Sequence, residues 1–174
     1  MRQTPESFKI AFLGDVGVGK TSTILKISQN LFINRTFAAT LGFEFQIVQF
    51  NQSRRFQLWD SNGNDKLRTV PPNLLKSAHI IVVMFDVTNA DSFASAANFW
   101  IKEVRSKASK ESHYLLIGNK NDRTAERVVP VSAAADLALK FDMMYLDASC
   151  ISIPQHTFLM KLNECIDKYL FTCE

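Results

Sequence analysis

The sequence is short of the features that mark special classes of protein. Its 174 residues hold three cysteines, Cys150, Cys165 and Cys173. Their spacing fits no metal site and they cannot all pair, so neither a disulfide scaffold nor a zinc module is expected. No signal-like stretch opens the chain, and a reducing, cytoplasmic compartment is the simpler expectation. No apolar run approaches the ~20 residues that span a bilayer. Internal repeats, low-complexity tracts and linkers are also missing. An excess of one charge is absent too: a net charge of +3 is mildly basic and does not call for nucleic acid. What is present is ordinary globular composition, 47% hydrophobic and 21% charged, at a length that suits a single domain over residues 1–174.

One stretch stands out, Gly14-Asp15-Val16-Gly17-Val18-Gly19-Lys20-Thr21. It follows an apolar run, Phe8 to Leu13, that reads as a buried strand, and precedes Ser22 to Gln29, which reads as a helix with Ile24, Leu25 and Ile27 inward. Strand, glycine-rich turn, Gly-Lys-Thr and helix is the phosphate-binding loop in its required context. The glycines let successive backbone N–H groups turn inward, so that residues Asp15, Val16, Gly17, Val18 and Gly19 wall a concave anion site. The helix start adds unpaired N–H groups through Ser22 and the positive end of its dipole. Lys20 supplies a point charge for the outer phosphates, and the Thr21 hydroxyl can ligate Mg²⁺. A chance glycine turn with a surface lysine is the competing reading, and the flanking strand and helix weaken it.

Further along, Phe32 to Leu41 has no clean period and reads as a loop. Phe43 to Gln49 alternates with period two and reads as a strand. Asn51-Gln52-Ser53 turns the chain, and Arg54 to Trp59 returns as a strand, giving a hairpin at one sheet edge. Asp60 to Ser77 reads as irregular, with Pro71-Pro72 restricting any helix. Ile80 to Phe85 reads as a strand covered on both faces. Asp91 to Ala108 reads as an amphipathic helix with Phe93, Ala97, Trp100 and Val104 inward. Tyr114 to Ile117 reads as another buried strand. Ser132 is placed to cap a helix that buries Ala134, Leu137, Ala138 and Phe141. Met143 to Leu146 reads as a last short strand. Pro154 precedes a final helix with Phe158, Leu162, Cys165, Ile166 and Tyr169 inward. Strands alternating with helices after an early hairpin argue an α/β fold, a mostly parallel sheet with helices on both faces. Ligands in such folds sit at the carboxyl ends of the strands, where the glycine loop, Asp60, Asp86 and Asn119 all fall.

Two further motifs belong at that edge. In Asn119-Lys120-Asn121-Asp122, the Asp122 carboxylate can accept from the N1–H and 2-amino group of guanine, donors that adenine lacks there. Asn119 can bond the base's N7 and brace the phosphate loop, and the Lys120 stem can cover the ring. Alone this is an ordinary Asn/Asp turn. About a hundred residues after a phosphate loop it points to guanine. In Trp59-Asp60-Ser61-Asn62-Gly63, Asp60 can hold Mg²⁺ through its water shell, and the Gly63 N–H can approach a γ-phosphate without a side-chain clash. Thr40 offers a second hydroxyl for the metal. An ATPase or kinase is disfavoured by Asn119 to Asp122.

The order of these pieces resembles the Ras superfamily of small GTPases, and the Rab family most closely. The resemblance runs from Lys9 to about Tyr169. It is carried by GDVGVGKTS at Gly14 to Ser22, ATLGFEF at Ala39 to Phe45, LWDSNG at Leu58 to Gly63, IIVVMFDVTNADSF at Ile80 to Phe93 and GNKND at Gly118 to Asp122. It implies the three-layer P-loop NTPase fold, a six-stranded sheet with one antiparallel edge strand and five helices. It also implies a GTP/GDP switch with Mg²⁺, whose loops, about Ile33 to Phe43 and Asp60 to Ser77, grip the γ-phosphate and loosen after hydrolysis. Phe32 is similar to the aromatic that packs on guanine, and Ser149 and Cys150 occupy the last base-contacting loop. Effector, exchange factor and activating protein are expected over residues 33–50 and 60–77, and Phe45 and Trp59 suggest either an apolar patch for an effector or ordinary hairpin packing. A role in membrane traffic, peripheral on endomembranes, is implied by the family alone.

The departures are as informative. Lys20, Thr40 and the residue after Gly63 are the family's candidates for acting on the reaction, and that residue is Asn64 where relatives have glutamine. An attacking water displaced by about an ångström can cost on the order of a hundredfold. Val16 replaces a small residue beside the γ-phosphate and should crowd the water and any inserted arginine. Both predict slow hydrolysis, with a GTP-bound scaffold of negligible turnover as the alternative. Pro71-Pro72 and the leucines Leu74 and Leu75 change the partner surface, since relatives often carry aromatics at the leucine positions. Cys173 is followed by Glu174 alone, so no four-residue prenylation box is present. Either the sequence is cut short, it continues into another domain, or it works without a lipid anchor.

Overall fold

The strands form where apolar, β-branched and aromatic residues run together. In a computed structural model that describes residues 6–29, 43–61 and 70–172, they are β1 (Glu6–Leu13), β2 (Phe43–Gln49), β3 (Arg54–Ser61), β4 (Ile80–Asp86), β5 (His113–Asn119) and β6 (Met144–Asp147). They make one six-stranded sheet in the order β2-β3-β1-β4-β5-β6. The β2–β3 hairpin is antiparallel and all other neighbours are parallel. Every residue of β4 is buried, as expected of a strand with helices on both faces.

The helices are α1 (Lys20–Gln29), α2 (Pro72–Ser77), α3 (Ala90–Ser95), α4 (Ile101–Lys107), α5 (Val131–Lys140) and α6 (Gln155–Thr172). A π-helical stretch, Ala96–Trp100, joins α3 to α4 in one rod over 90–107, so five helical rods pack on the sheet among the described residues. One face of the sheet packs Leu74, Leu75, Trp100, Val104, Ala134 and Ala138 from α2, the rod and α5. The other packs Ile24, Ile27, Phe158, Leu162, Cys165 and Ile166 from α1 and α6. The result is the expected three layers.

Several local expectations are corrected. Pro71-Pro72 does not prevent a helix: Pro72 opens α2, the one place where a missing N–H and a fixed φ cost nothing. Leu74 and Leu75 are core residues rather than partner surface, 6% and 0% exposed. Ser132 lies inside α5 and Pro130 precedes it without a side-chain cap. The rod starts at Ala90, where the Asn89 side chain accepts from the Ser92 N–H. The π stretch shifts its buried face, so that Ala96 and Ile101 are buried while Ala97 is half-buried. Leu25 is half-buried rather than inward. In β2 the alternation places Phe45 and Ile47 outward, 51% and 56% exposed, and Val48 inward. β3 continues through Asp60 and Ser61, which carries Asp60 on an ordered strand end.

Candidate nucleotide site

Parallel strands end together, and their register brings the polar motifs to one edge. Phe12 pairs with Asp60, Leu13 with Val83, and Asp86 with Asn119. At that edge the chain leaves β1 through Gly14, whose φ is +143° and whose Cβ, if it had one, would stand 2.4 Å from the Met84 carbonyl oxygen. Gly19 has φ +99°, and a Cβ there would fall 2.2 Å from Asn119 Nδ2. Both positions therefore need glycine for space as well as conformation. The Lys20 side chain, on a residue only 6% exposed, curls back over the loop, and its Nζ donates to the Gly14 and Asp15 carbonyls at 2.8 Å each. Thr21 Oγ1 donates to Asp60 Oδ2 at 2.5 Å. A hydroxyl and a carboxylate in contact at the mouth of the loop are hard oxygen donors of the kind Mg²⁺ selects. Val18 is buried in the core, whereas Val16 is 50% exposed at the loop's tip. Ser22 is half-buried in the first turn of α1. The Asp15 side chain leaves the loop for the rod, where Oδ1 accepts from Ser95 Oγ at 2.8 Å and Trp100 Nε1 at 2.7 Å.

The second half of the site is built on the end of β5. Asn119 is fully buried; its Nδ2 donates to the Val18 carbonyl at 2.8 Å and its Oδ1 accepts from the Cys150 N–H at 3.3 Å. One amide thus fastens three loops, and the bracing role expected of it is seen directly. Lys120 has φ +67°, a conformation costly for a residue with a Cβ. Its Nζ is paired with Asp86 Oδ2 at 2.7 Å. Burial alone would raise the Asp86 carboxyl, but hydrogen bonds from Lys120 and from the Thr88 hydroxyl and N–H outweigh it and hold the group below its ordinary value. Asp122 is exposed. Ser149 is buried and its Oγ accepts from the Ile151 N–H at 3.0 Å. Burial pushes the Cys150 thiol up, so the thiol is unreactive at neutral pH.

Two groups escaped the sequence reading. Asp147, at the end of β6, accepts from Arg127 Nη2 at 2.9 and 2.7 Å, from Tyr145 Oη at 2.9 Å and from Asn121 Nδ2 at 3.2 Å. It binds the loop that carries Asp122 to the sheet. Its signal was an acid at a strand end, the same signal used for Asp60. The Asp15–Ser95–Trp100 contact joins residues far apart in sequence and had no signal. Phe32, Thr40, Gly63 and Asn64 lie outside the described residues. On the outer face, Phe45 stacks on Trp59 with centroids 4.9 Å apart, and Lys9 Nζ lies 4.6 Å over the Trp59 ring.

The model of the Ras family matches residues 9–160. The Ras-related protein RABD2b of Arabidopsis thaliana is 32% identical over 145 residues, which cover 82% of this chain and 71% of that protein. The Ras-related protein Rab-1 of Theileria parva is 33% identical over 152 residues, 86% of this chain and 69% of the relative. The Ras-related protein Rab-26 of Rattus norvegicus is 31% identical over 149 residues, with shares of 84% and 58%.

Proposed function

The chain belongs to the Ras family, in its Rab branch, and from that premise we propose how its own residues run a guanine-nucleotide switch. As a member of that family it binds guanine nucleotide and hydrolyses GTP. In our reading the amides of residues 15–22 and the Lys20 amine hold the phosphates. Asn119, Lys120 and Asp122 take the base, with Phe32 on its face and the main chain of Ser149 and Cys150 along its edge. Thr21, Thr40 and Asp60 hold Mg²⁺, which when bound neutralises charge on the outer phosphates. The observation that carries this reading is the Asn119 amide, which joins the phosphate loop to the base loop at 2.8 Å. Chromatography of the nucleotide released on denaturation tests it: GDP or GTP is expected, and ATP or ADP in its place would overturn the base assignment.

We further propose that hydrolysis is slower than the family norm. Asn64 falls one methylene short of the usual glutamine, and Val16 projects at the loop's tip, half exposed. Single-turnover hydrolysis of loaded GTP measures it. A rate equal to that of typical relatives would sink the idea, and Asn64→Gln with Val16→Ser is expected to raise the rate at least tenfold, given what a misplaced water costs. The same exposed Val16 favours a second reading, a GTP-occupied scaffold that signals by assembly. Multiple-turnover phosphate release with and without an activating protein separates the two.

Partners are assigned to residues 33–50 and 60–77; Phe45 and Ile47 in the first, with Trp59 stacked on Phe45 from β3, form an apolar face suited to an effector. A role in vesicle traffic follows from the Rab resemblance. No helix among the described residues is long and apolar enough to cross a membrane. Any membrane contact in this reading is peripheral, from a cytoplasmic protein.

A further inference from the structure

Asp15 occupies the second place of the phosphate loop, and its two polar ends do different things. Its carbonyl accepts from Lys20 Nζ at 2.8 Å. Its carboxylate reaches the rod over 90–107, where one oxygen takes both the Ser95 hydroxyl and the Trp100 indole N–H. We propose that Asp15, Ser95 and Trp100 form a clasp that positions the phosphate loop and its lysine and couples nucleotide occupancy to that rod. The clasp rests on the nucleotide reading above, and it adds a positioning role for side chains that point away from the ligand.

The geometry of the rod supports the assignment independently. In an α-helix, residues five apart stand about 140° apart around the axis. Ser95 and Trp100 could not then both face one carboxylate oxygen. The π stretch Ala96–Trp100 closes that angle, because its i→i+5 hydrogen bonding brings residues five apart to nearly one turn. The distortion and the shared acceptor therefore explain each other. Trp100 is 1% exposed, so its indole N–H has no solvent to turn to if the carboxylate is removed. Pre-organisation is the consequence: the loop is held open for an anion by a contact on its outer side.

A bare charge argument predicts the opposite sign. A carboxylate beside an anion site repels phosphate, so deleting it should tighten nucleotide binding. If the clasp positions the loop, deleting it should loosen binding. The experiment is release of a fluorescent GDP from the full chain, chased with excess GDP and Mg²⁺. Asp15→Ala is expected to release GDP roughly tenfold faster, the scale of a lost charge-assisted hydrogen bond. Ser95→Ala and Trp100→Phe should each give a severalfold increase. Asp15→Asn, which keeps the accepting oxygen, should release GDP more slowly than Asp15→Ala. A second readout needs no nucleotide: of the two indole N–H resonances, that of Trp100 should move in Asp15→Ala and return in Asp15→Asn, while that of Trp59 stays put. Wild-type chain that bound no GDP would remove the nucleotide reading, and the indole resonance would still decide the clasp. An unmoved Trp100 signal, or release from Asp15→Ala at or below the wild-type rate, overturns the proposal. If Asp15→Ala does not fold, wild-type release from both Ser95→Ala and Trp100→Phe overturns it equally.

Discussion

The two ends of the parallel strands are built on opposite plans. At the carboxyl end, buried and half-buried polar side chains tie strand ends and loops together: Asn119 to Val18 and Cys150, Lys120 to Asp86, Arg127 to Asp147. At the amino end, rings close the sheet. His79 lies edge-on to Phe8 and to Tyr169, with centroids 5.5 and 5.2 Å apart, and His113 lies edge-on to Tyr169 at 6.3 Å. Arg54 reaches across to Asn163 at 2.7 Å and Asp167 at 2.5 Å on α6. Each ring pair contributes on the order of 0.5–1.5 kcal/mol beyond area burial. The amino end has the character of a seal and the carboxyl end that of a frame of cross-linked loops. A substitution at the first end should therefore change stability and leave ligand binding alone, and one at the second should do more to binding than to folding.

The largest break in that contrast comes from Gly19→Ala. The new Cβ would meet Asn119 Nδ2 at 2.2 Å in a backbone that L residues avoid, and Asn119 is buried and fastened at both ends. GDP affinity should fall by at least about a hundredfold, the scale of an ångström displacement at a reacting site. Titration calorimetry measures it, and wild-type affinity would mean the loop and the base strand are not coupled. Next is Asp122→Asn, expected to weaken guanine binding by roughly a hundredfold or more, because donors on the base lose their acceptor. Xanthine nucleotide should compete better against this variant than against wild type; unchanged GDP affinity would remove the base assignment. A matched pair then sharpens the comparison. Asp147→Ala leaves Arg127, Tyr145 and Asn121 without their common acceptor, and should cost about 1–3 kcal/mol of unfolding free energy and speed GDP release. Arg54→Ala breaks a partly exposed ion pair at the other end and should cost about 1 kcal/mol or less, with GDP release unchanged. Equal effects on release would erase the distinction between the ends.

How much of this was legible in the sequence differs between the two ends as well. The phosphate loop was readable because its demand is on the backbone: Gly14 and Gly19 have positive φ and no room for a Cβ, and only glycine meets both conditions. The mostly parallel sheet with its edge hairpin, and the placing of Asp60, Asp86 and Asn119 at strand ends, followed from alternating elements. Apart from the Asn119 brace on the phosphate loop, side-chain partnerships across the sheet were not readable. Asp15 and Trp100 lie 85 positions apart, and nothing in either neighbourhood announces the other. The π stretch was missed because a 3.6 period fits Phe93, Ala97, Trp100 and Val104 well, and one extra residue changes only which neighbour is buried. Pro72 was misread because proline's cost depends on its place in a helix, and the first position carries none.

The smallest expected effect belongs to the amino end and concerns pH. His79 Nδ1 accepts from the Lys9 N–H at 2.9 Å, which only a ring without a proton on that nitrogen can do. Burial holds the His79 imidazole below its ordinary 6.5, against the raising influence of the Glu6 charge and with the Lys9 charge. Burial also lowers His113, against the charge of Asp142 and with that of Lys168. Both groups are bases whose folded values lie below their unfolded ones, so the unfolded chain binds protons first as pH falls. Their contribution to stability is complete above about pH 6.5 and is lost as pH drops from there through the folded values. Urea midpoints should therefore decline modestly between pH 7.5 and 5.5. His79→Asn, whose amide oxygen can take the Lys9 N–H and cannot titrate, should flatten part of that slope. GDP affinity over the same range should not follow the histidines, since His79 precedes the first residue of β4 and Asp86, at the site, is its last. A GDP affinity that tracked the His79 titration would show that the seal and the frame are one device.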